Sequence, residues 1–442
     1  MDIESIDLSY GKEKRTLYIP KANLAGFIKP ISPAKHFRIE EGLNSALYNT
    51  VDSIKVEDLV CGKKVCVTIE DYSRFTPYRE VIQALSGRLR KAKMVQYIVA
   101  TGTHNPIDER NLKIKSTIEN VASSLQLNFR ATLNASKEKE QFEYVGKTSR
   151  DTDVWVNKAS LDADLFIIAS DMKPHYFAGY SAANKHFLPG MCGFDTIRVN
   201  HCGLIKDENS SYGRHPWHYD QQRKDNPLAS DMLEAMEIIL DGRPAYALAI
   251  ISERDSILWS QFGPIESVVR TGIKKVDEIY TFRVEPAQYM VVSPGGWPED
   301  ISMYVGQRAP ELTLEAVKQG GEVLWLSECS EGIHTGEPQA VVNDFHSSMM
   351  SDLGTLSKML DQPDVKFHTY KAYRFRRMLE KVKIYGYSSL DNEILRSVDI
   401  IPVGKPQEII DAWIEADPNA KILMVDKANK LAIYGDKKME RR

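Results

Sequence analysis

The sequence predicts an α/β protein made of two α/β domains with mostly parallel sheets. Short runs rich in β-branched residues alternate with segments of helical apolar spacing, and this alternation is typical of parallel sheets covered by helices. The pattern restarts near residue 275. We therefore expect a cofactor-binding and catalytic domain over residues 1–275, a smaller domain over residues 276–442, and an active site in the cleft between them.

The first domain shows four buried strands and one clear helix. Val81–Lys93 has helical spacing, whereas Asp207–Asn226 lacks regularity and is predicted to be a long loop. The predicted strands, each bounded by polar or turn residues, are Lys64–Ile69, Val95–Ala100, Leu165–Ala169 and Ala247–Ser252.

The second domain repeats the alternation with shorter strands. Helices are predicted over Pro310–Gln319 and Pro406–Trp413. The prediction also allows the extreme C-terminus to pack back onto the first domain. The predicted strands are Tyr289–Ser293, Gly321–Ser327, Lys383–Tyr387, Val398–Pro402 and Lys421–Val425.

Composition excludes several classes of function. The chain has 442 residues with a formal net charge of −4 and no long basic block, so it lacks the electrostatic footprint of a nucleic-acid-binding protein. No apolar run is long enough to span a bilayer, and the N-terminus does not have the pattern of a secretory signal. Five cysteines without a CxxC pair fit a reducing cytoplasm; we expect them to be buried, and Cys202 is a weak metal-ligand candidate.

Polar side chains with chemical potential follow the ends of successive predicted strands. Asp71 and Arg74 follow the first strand, His104 the second and His175 a later one. Ligands of open α/β sheets bind outside these strand ends. Histidine suits proton transfer near neutral pH, and two such bases on opposite faces of one carbon would allow a stereocentre to be inverted. For each histidine alone, a structural role is the competing interpretation.

Three local patterns suggest ligand contacts. The turn Thr101-Gly102-Thr103 consists of small residues whose backbone N–H groups suit a phosphate or carboxylate. Arg74 is a bidentate clamp for such an anion, or alternatively the partner of Asp71 in a local ion pair. Lys185, in a turn beside aromatic residues, is either a surface lysine or a desolvated nucleophile.

Other chemical motifs are missing or weak. The sequence has no GxGxxG after a strand, no P-loop and no HExxH. His215 and His218 have a spacing that could hold a metal, but the polar segment around them favours a solvated loop.

Several motifs together resemble those of the lactate racemase catalytic subunit family, the nickel-pincer nucleotide enzymes. They run in the family's order through most of the chain, and the spacing from His175 to Lys185 to His201 matches residue for residue. The motifs are YGK at Tyr10–Lys12, DYSR at Asp71–Arg74, ATGTH at Ala100–His104, HYFAGYS…K…LPG at His175–Gly190, NH at Asn200–His201 and SPGGWPED at Ser293–Asp300.

The resemblance implies a cofactor and a set of roles. The cofactor is a pyridinium-3-thioamide-5-thiocarboxylic acid mononucleotide carrying nickel, made by separate synthesis enzymes. Lys185 would attach it and His201 would ligate the nickel. The paired acid/bases would be His104 and His175, which serve a hydride transfer from a 2-hydroxy acid. The resemblance further implies that Asp71 and Arg74 lie near the reacting groups and that Thr101, Gly102, Thr103 and Gly179 lie near the cofactor.

Departures from the family suggest a different substrate. Ala182-Ala183-Asn184 replaces a sequence such as Gly-Gly-Arg, and Glu299 stands where lysine is common. Phe75 and the segment 210–223 add bulk. We therefore expect a racemase or epimerase acting on a 2-hydroxy acid larger or more hydroxylated than lactate, such as a sugar acid. The residues that could contact such a substrate are Tyr72, Trp297 and Glu299.

Four alternatives stay open at this point. They are lactate racemase activity itself, an NAD-type 2-hydroxy acid oxidoreductase, a non-catalytic scaffold and a zinc hydrolase built on His201 with His215 or His218. The missing dinucleotide fingerprint argues against the second. The oligomeric state is left open.

Overall fold

The computed structural model describes residues 2–33, 36–52, 54–74, 76–253 and 255–435. Two parts of the chain discussed above, Phe75 and the extreme C-terminus at 436–442, lie outside these ranges. The strands are β1 Ile3–Tyr10, β2 Glu13–Pro20, β3 Leu24–Ile28, β4 Phe37–Arg38, β5 Lys64–Glu70, β6 Met94–Ala100, β7 Phe129–Leu133, β8 Phe142–Lys147, β9 Asp153–Asn157, β10 Leu165–Asp171, β11 Lys173–His175, β12 Gly179–Ser181, β13 Ala245–Glu253, β14 Ser256–Pro264, β15 Thr281–Val284, β16 Ala287–Val292, β17 Val317–Leu326, β18 Val382–Tyr387, β19 Ile400–Pro402, β20 Ile422–Val425 and β21 Ala432–Gly435.

The helices alternate with these strands over most of the chain. They are α1 Ile39–Tyr48, α2 Val56–Leu59, α3 Tyr78–Ser86, α4 Glu109–Ser124, α5 Phe194–Leu204, α6 Pro227–Leu240, α7 Ile265–Tyr280, α8 Met303–Gly306, α9 Arg308–Leu312, α10 Gln339–Met350, α11 Leu353–Leu360, α12 Thr369–Leu379, α13 Asn392–Ser397 and α14 Pro406–Ala416. None of the described helices is long and apolar enough to cross a membrane.

Residues 32–278 form one unit around a seven-stranded sheet. Its order is β4-β14-β13-β10-β5-β6-β7, with five parallel strands from β13 to β7 and two antiparallel strands at one edge. Among the parallel strands, the chain forms β5 first and then adds β6 and β7 on one side of it. It later adds β10 on the other side of β5. The strand order therefore reverses between β5 and β10, which is where α/β proteins bind ligands.

The core of this unit is built by strands whose side chains are apolar on both faces. On β10, Leu165 and Ile167 are buried on one face, and Phe166 and Ile168 are buried on the other. Helix α4 contributes the buried side chain of Ile118 to this core. Burial on both faces is the expected pattern for a parallel sheet covered by helices, so the central strands form a rigid base for the loops at their ends.

Residues 2–31 and 279–435 form the other unit. Its six-stranded sheet has the order β19-β18-β17-β16-β20-β3, and every neighbouring pair is parallel. This sheet also reverses its order, between β16 and β20. The Ser293–Asp300 motif follows β16 at that point.

The N-terminal residues belong to this second unit, which differs from the predicted assignment of residues 1–275 to one domain. Strand β3 completes the six-stranded sheet by pairing with β20. The β1–β2 hairpin buries Leu8 and Ile19 in a cluster with Val291 and Leu324. Short local segments cannot reveal such a pairing, because the partner strand lies about 400 residues away along the chain.

Two predicted helices are wrong in extent. The helix predicted over Val81–Lys93 is α3, which ends at Ser86 before Gly87. The segment Pro310–Gln319 is helical only in part: α9 ends at Leu312, a 3-10 turn follows at Leu314–Ala316, and from Val317 onward the chain forms β17 between β16 and β18. Pairing in the sheet overrides the helical spacing of that segment.

Candidate active site

The candidate site lies at the ends of β5, β6 and β10, where the first sheet reverses its order. Asp71 directly follows β5, and His104 follows β6 after a short turn. The chain leaving β10 forms a small hairpin, β11 with β12, that carries His175. Because the three strands are parallel neighbours, their ends bring these residues to one edge of the sheet.

Asp71 and His104 form a close pair. The distance between His104 Nδ1 and Asp71 Oδ2 is 2.5 Å, and the Ser73 hydroxyl donates to Oδ1 of the same carboxylate at 2.7 Å. Burial alone would raise the pKa of Asp71, but the positive charges and hydrogen bonds of His104 and Arg74 lower it overall. A charged Asp71 holds the proton of His104 on Nδ1, which leaves Nε2 as a base.

The turn Thr101–Thr103 is oriented differently from the prediction. The N–H of Thr101 donates to the Val99 carbonyl at 3.0 Å, and that of Gly102 donates to the Gly190 carbonyl at 3.3 Å. The Thr101 hydroxyl donates to the Asn134 carbonyl. Only Thr103 keeps its backbone N–H for a ligand, so the turn acts mainly by joining His104 to the loop that ends at Gly190.

His175 is held in an aromatic environment. Its ring centroid lies 4.5 Å from that of Phe177 and 5.0 Å from that of Tyr176. The backbone N–H of Ala178 donates to its Nδ1 at 3.3 Å. His104 and His175 therefore differ in their surroundings, since a carboxylate contacts the His104 ring and a backbone amide donates to the His175 ring.

Lys185 is buried, so its interpretation as a surface lysine is wrong. Its side chain belongs to a residue that is 6% exposed, and its Nζ lies 5.4 Å from the Phe177 ring centroid. Among the described residues no carboxylate lies within 4 Å of Nζ. Burial and the charge of Arg74 hold the pKa of Lys185 well below its ordinary value. This shift favours the neutral, nucleophilic form of the amine.

His201 lies on α5 and faces the same aromatic ring. Its ring centroid is 5.1 Å from that of Phe177. Burial, reinforced by the nearby Lys185, lowers the pKa of His201 well below its usual range. A neutral imidazole is the form that binds a metal ion.

The Phe177 ring lies between the side chains of His175, Lys185 and His201. This residue was not selected from the sequence motifs. It is 2% exposed, and its ring is in contact range of each of them. The signal that could have found it is its place between two histidines in an aromatic run. The ring keeps water from the amine and so contributes to its low pKa.

Glu70 is a second residue that was not predicted from the sequence, and its buried contacts stabilise the site. Glu70 accepts the N–H of Asp171 at 2.9 Å and lies 3.7 Å from Nε2 of His186, whose Nδ1 contacts the Thr68 hydroxyl at 2.8 Å. Burial would raise the pKa of Glu70, but His186 lowers it overall. These contacts tie the residue after Lys185 to the residue before Asp71.

Gly179 has a packing role. Its φ is +77°, and a Cβ at this position would lie 1.8 Å from the Arg214 carbonyl oxygen. The N–H of Gly213 donates to the Gly179 carbonyl at 3.1 Å. The glycine thus lets the segment 207–226 pack directly on the hairpin that carries His175.

The segment 207–226 is irregular as predicted, but its histidines are not solvated. His215 and His218 are both 0% exposed. Burial lowers the pKa of His215 to about 3, and Nε2 of His218 lies 3.2 Å from Asp277. Within the described ranges no group of three or more His, Cys, Asp or Glu side chains is arranged to hold a metal ion.

Asp277 collects four hydrogen bonds from this segment and the hairpin. Tyr180 on β12 donates at 2.7 Å, Tyr219 at 2.8 Å and Arg223 at 2.9 Å, in addition to His218. Burial would raise the pKa of Asp277, but these partners lower it overall. The carboxylate therefore fixes the position of the hairpin relative to α7.

Tyr180→Phe is expected to lower turnover about tenfold with little change in KM, because it frees the hairpin that positions His175 from Asp277. Tyr219→Phe is the matched control, since it removes another hydroxyl from the same carboxylate without touching the hairpin. Steady-state kinetics with thermal melts would measure both. Equal losses of turnover and of melting temperature in the two variants would contradict a positioning role for Tyr180.

The buried amine also predicts how stability depends on pH. In the folded protein the pKa of Lys185 lies well below its ordinary value, whereas in the unfolded chain the amine binds a proton up to a pH of about 10.4. The unfolded state thus binds more protons below that pH, so this group makes stability rise with pH by up to about 1.4 kcal/mol per unit. We expect apoprotein with Lys185→Met to melt higher than wild type at pH 7, and the gap to close towards pH 10. Melts across pH 6–10 measure this, and a lower melting temperature for the variant at every pH would contradict it.

The three suggested substrate contacts have different surroundings. Tyr72 stacks under the Arg110 guanidinium, 3.8 Å from its ring centroid. Trp297 is 46% exposed, with Lys12 Nζ 5.7 Å from its ring. Glu299 is buried, its carboxylate accepting from Asn429 at 3.3 Å and lying 3.6 Å from Arg308. The Glu299 carboxylate is therefore bound by residues of its own unit.

The cysteines mostly follow expectation. Cys66, Cys192, Cys202 and Cys329 are buried, whereas Cys61 is exposed, which corrects the prediction for that residue. Cys202 belongs to no metal-binding cluster among the described residues.

Comparison with known proteins agrees with this geometry. Residues 10–213 match the lactate racemase N-terminal domain family. The chain is 28% identical over 342 residues to a lactate racemase of Thermoanaerobacterium thermosaccharolyticum, covering 75% of this chain and 76% of that protein. It is 25% identical over 365 residues to a lactate racemase of Lactiplantibacillus plantarum, covering 81% of each chain.

Solved structures share the fold. The lactate racemase apoprotein of Thermoanaerobacterium thermosaccharolyticum superposes with a TM-score of 0.84 at 23% identity, covering 97% of this chain and 100% of that chain. A protein from Thermotoga maritima superposes with a TM-score of 0.63 at 16% identity, covering 90% and 97%. The α/β fold predicted from the sequence is thereby confirmed.

The fold and these matches define an α/β racemase, an enzyme of the isomerase class. Within that class, residues 10–213 match the lactate racemase N-terminal domain, and the chain is similar to lactate racemases over 75–81% of its length.

Proposed function

We propose that this chain is a nickel-pincer nucleotide-dependent racemase or epimerase of a 2-hydroxy acid. The observation that carries the proposal is the arrangement of Lys185 and His201 around Phe177. A buried neutral amine and a buried neutral imidazole face one ring, close to the Asp71–His104 pair. A structural core has no need for two such desolvated bases.

The residues present fit the cofactor. A neutral lysine is the form that can bond covalently to an electrophilic carbon of the nucleotide. A neutral histidine suits nickel, and one histidine leaves most of the coordination positions to the cofactor's own sulfur and carbon atoms. When bound, the cofactor would supply a hydride acceptor that returns the hydride to either face of the substrate carbon.

The other side chains would handle protons and charge. Nε2 of His104 would take the hydroxyl proton of one enantiomer, and the Asp71 carboxylate would stabilise the resulting imidazolium. His175 would serve the opposite enantiomer. Arg74, whose charge influences both Asp71 and Lys185, would hold the substrate carboxylate bidentately.

The identity of the acid is the finer part of the proposal. We propose a substrate larger or more hydroxylated than lactate, a preference suggested by the sequence at Ala182–Asn184 and by the bulk of Trp297, whose side chain is exposed. Glu299 no longer supports it, because its carboxylate is already bound within its own unit. The segment 210–223 likewise packs on the hairpin rather than adding an exposed polar surface.

A substrate panel tests this assignment. Protein produced with the cofactor-synthesis enzymes would be assayed on lactate, malate, phenyllactate and sugar acids. We expect the highest kcat/KM on one of the larger acids, and loss of that preference in Trp297→Ala. Lactate as the best substrate would contradict the proposed preference but not the proposed chemistry.

A further inference from the structure

The side chain of Asn184 carries an unsatisfied buried oxygen next to Lys185. The residue is 1% exposed, and its Oδ1 accepts no hydrogen bond from any of the described residues. Its backbone carbonyl, by contrast, accepts the N–H of Phe187 at 3.1 Å. A buried amide oxygen without a donor costs the folded protein its full desolvation free energy.

Asn184 lies next to the lysine that is proposed to attach the cofactor. The residue directly precedes Lys185 in a short 3-10 turn, Ala183–His186, that lies against β10 and α6. Both residues are therefore carried by the same rigid turn. Unsatisfied polar groups in native proteins concentrate where a ligand completes them.

Asn226 shows what a structural asparagine looks like in the same unit. It is 0% exposed, and its Nδ2 donates to the carbonyls of Phe177, Ser211 and Arg214 at 2.9–3.2 Å. Its Oδ1 accepts the N–H of Ala229 at 3.0 Å. Asn184 has the same side chain and burial without this set of bonds, so a purely structural role does not explain it.

We infer that Asn184 is a cofactor-binding residue whose Oδ1 accepts a hydrogen bond from an N–H or O–H group of the nucleotide bound at Lys185. This inference rests on the proposed function, since it assumes that the nucleotide reaches Lys185. It gives the departure at Ala182–Asn184 a role in orienting the cofactor during attachment. The unsatisfied oxygen lowers the stability of the apoprotein and is satisfied on loading.

The test compares apoprotein stability with cofactor loading in the whole chain. Wild type, Asn184→Ala and Asn226→Ala would be purified without cofactor and their melting temperatures measured. Wild type and Asn184→Ala would then be loaded by the cofactor-synthesis enzymes, and the mass increment followed by intact-mass spectrometry. We expect Asn184→Ala to melt at or above the wild-type temperature and Asn226→Ala to melt several degrees lower, as the loss of its bonds requires.

The loading result decides the inference. We expect the increment to appear about tenfold more slowly in Asn184→Ala, the effect of one hydrogen bond. Equal loading of the variant and wild type would overturn the inference, and so would a fall in melting temperature like that of Asn226→Ala, which would show a structural role. A wild-type chain that gains neither mass nor nickel would instead refute the proposed function.

Discussion

Lys185→Arg is expected to abolish racemisation, with a loss of at least about a thousandfold, because a guanidinium stays protonated and cannot form a covalent bond with the cofactor. The variant keeps a long side chain but loses the neutral amine that burial produces at this position. Intact-mass spectrometry of loaded protein should show a mass increment in wild type and none in Lys185→Arg.

Lys158→Arg is the matched control for this result. Lys158 is exposed, and its Nζ lies 3.9 Å from a carboxylate oxygen of Glu143. Its replacement should leave both the mass increment and the activity unchanged. Full activity of Lys185→Arg with an unshifted mass would mean that the cofactor is held without a covalent bond, and the role given to Lys185 would be wrong.

His104→Asn is expected to reduce turnover by about a hundredfold to ten-thousandfold, the usual contribution of a general base. The asparagine keeps a polar group beside Asp71 but cannot take a proton. Asp71→Asn should cost about a hundredfold by itself, because the histidine loses the charge that stabilises its protonated form. Steady-state assays in both directions of inversion measure these effects.

The matched comparison is His175→Asn, which removes the base proposed for the opposite enantiomer. All three variants should still show the mass increment at Lys185, since neither histidine attaches the cofactor. Additive losses in the double variant Asp71→Asn/His104→Asn would contradict the proposed pair, because two residues that act as one unit are not additive.

The sequence predicted the ends of the central strands well, because buried β-branched runs bounded by polar residues are local signals. Lys64–Ile69 and Leu165–Ala169 were extended by only one or two residues in the structure. It failed where pairing between distant segments decides the outcome. The N-terminal strand β3 and the strand that begins at Val317 both depend on partners far along the chain.

The candidate site was predictable in its residues but not in its surroundings. Spacing and resemblance singled out Asp71, His104, Lys185 and His201. The structure places the first two after neighbouring strands and the last two beside the Phe177 ring. Burial could not be read locally, since the polar appearance of residues 207–226 hid two fully buried histidines. Phe177 contacts His175, Lys185 and His201 through tertiary packing, which its place in an aromatic run did not by itself reveal.

We propose that this enzyme inverts its substrate by moving a hydride rather than by removing a carbon-bound proton. The direct measurement is racemisation of the best substrate from the panel in D₂O, followed by mass spectrometry and NMR at the carbon that is inverted. Hydride transfer predicts a product of opposite configuration that still carries the original hydrogen at that carbon, with no deuterium from solvent. Incorporation of one solvent deuterium per inversion would contradict it.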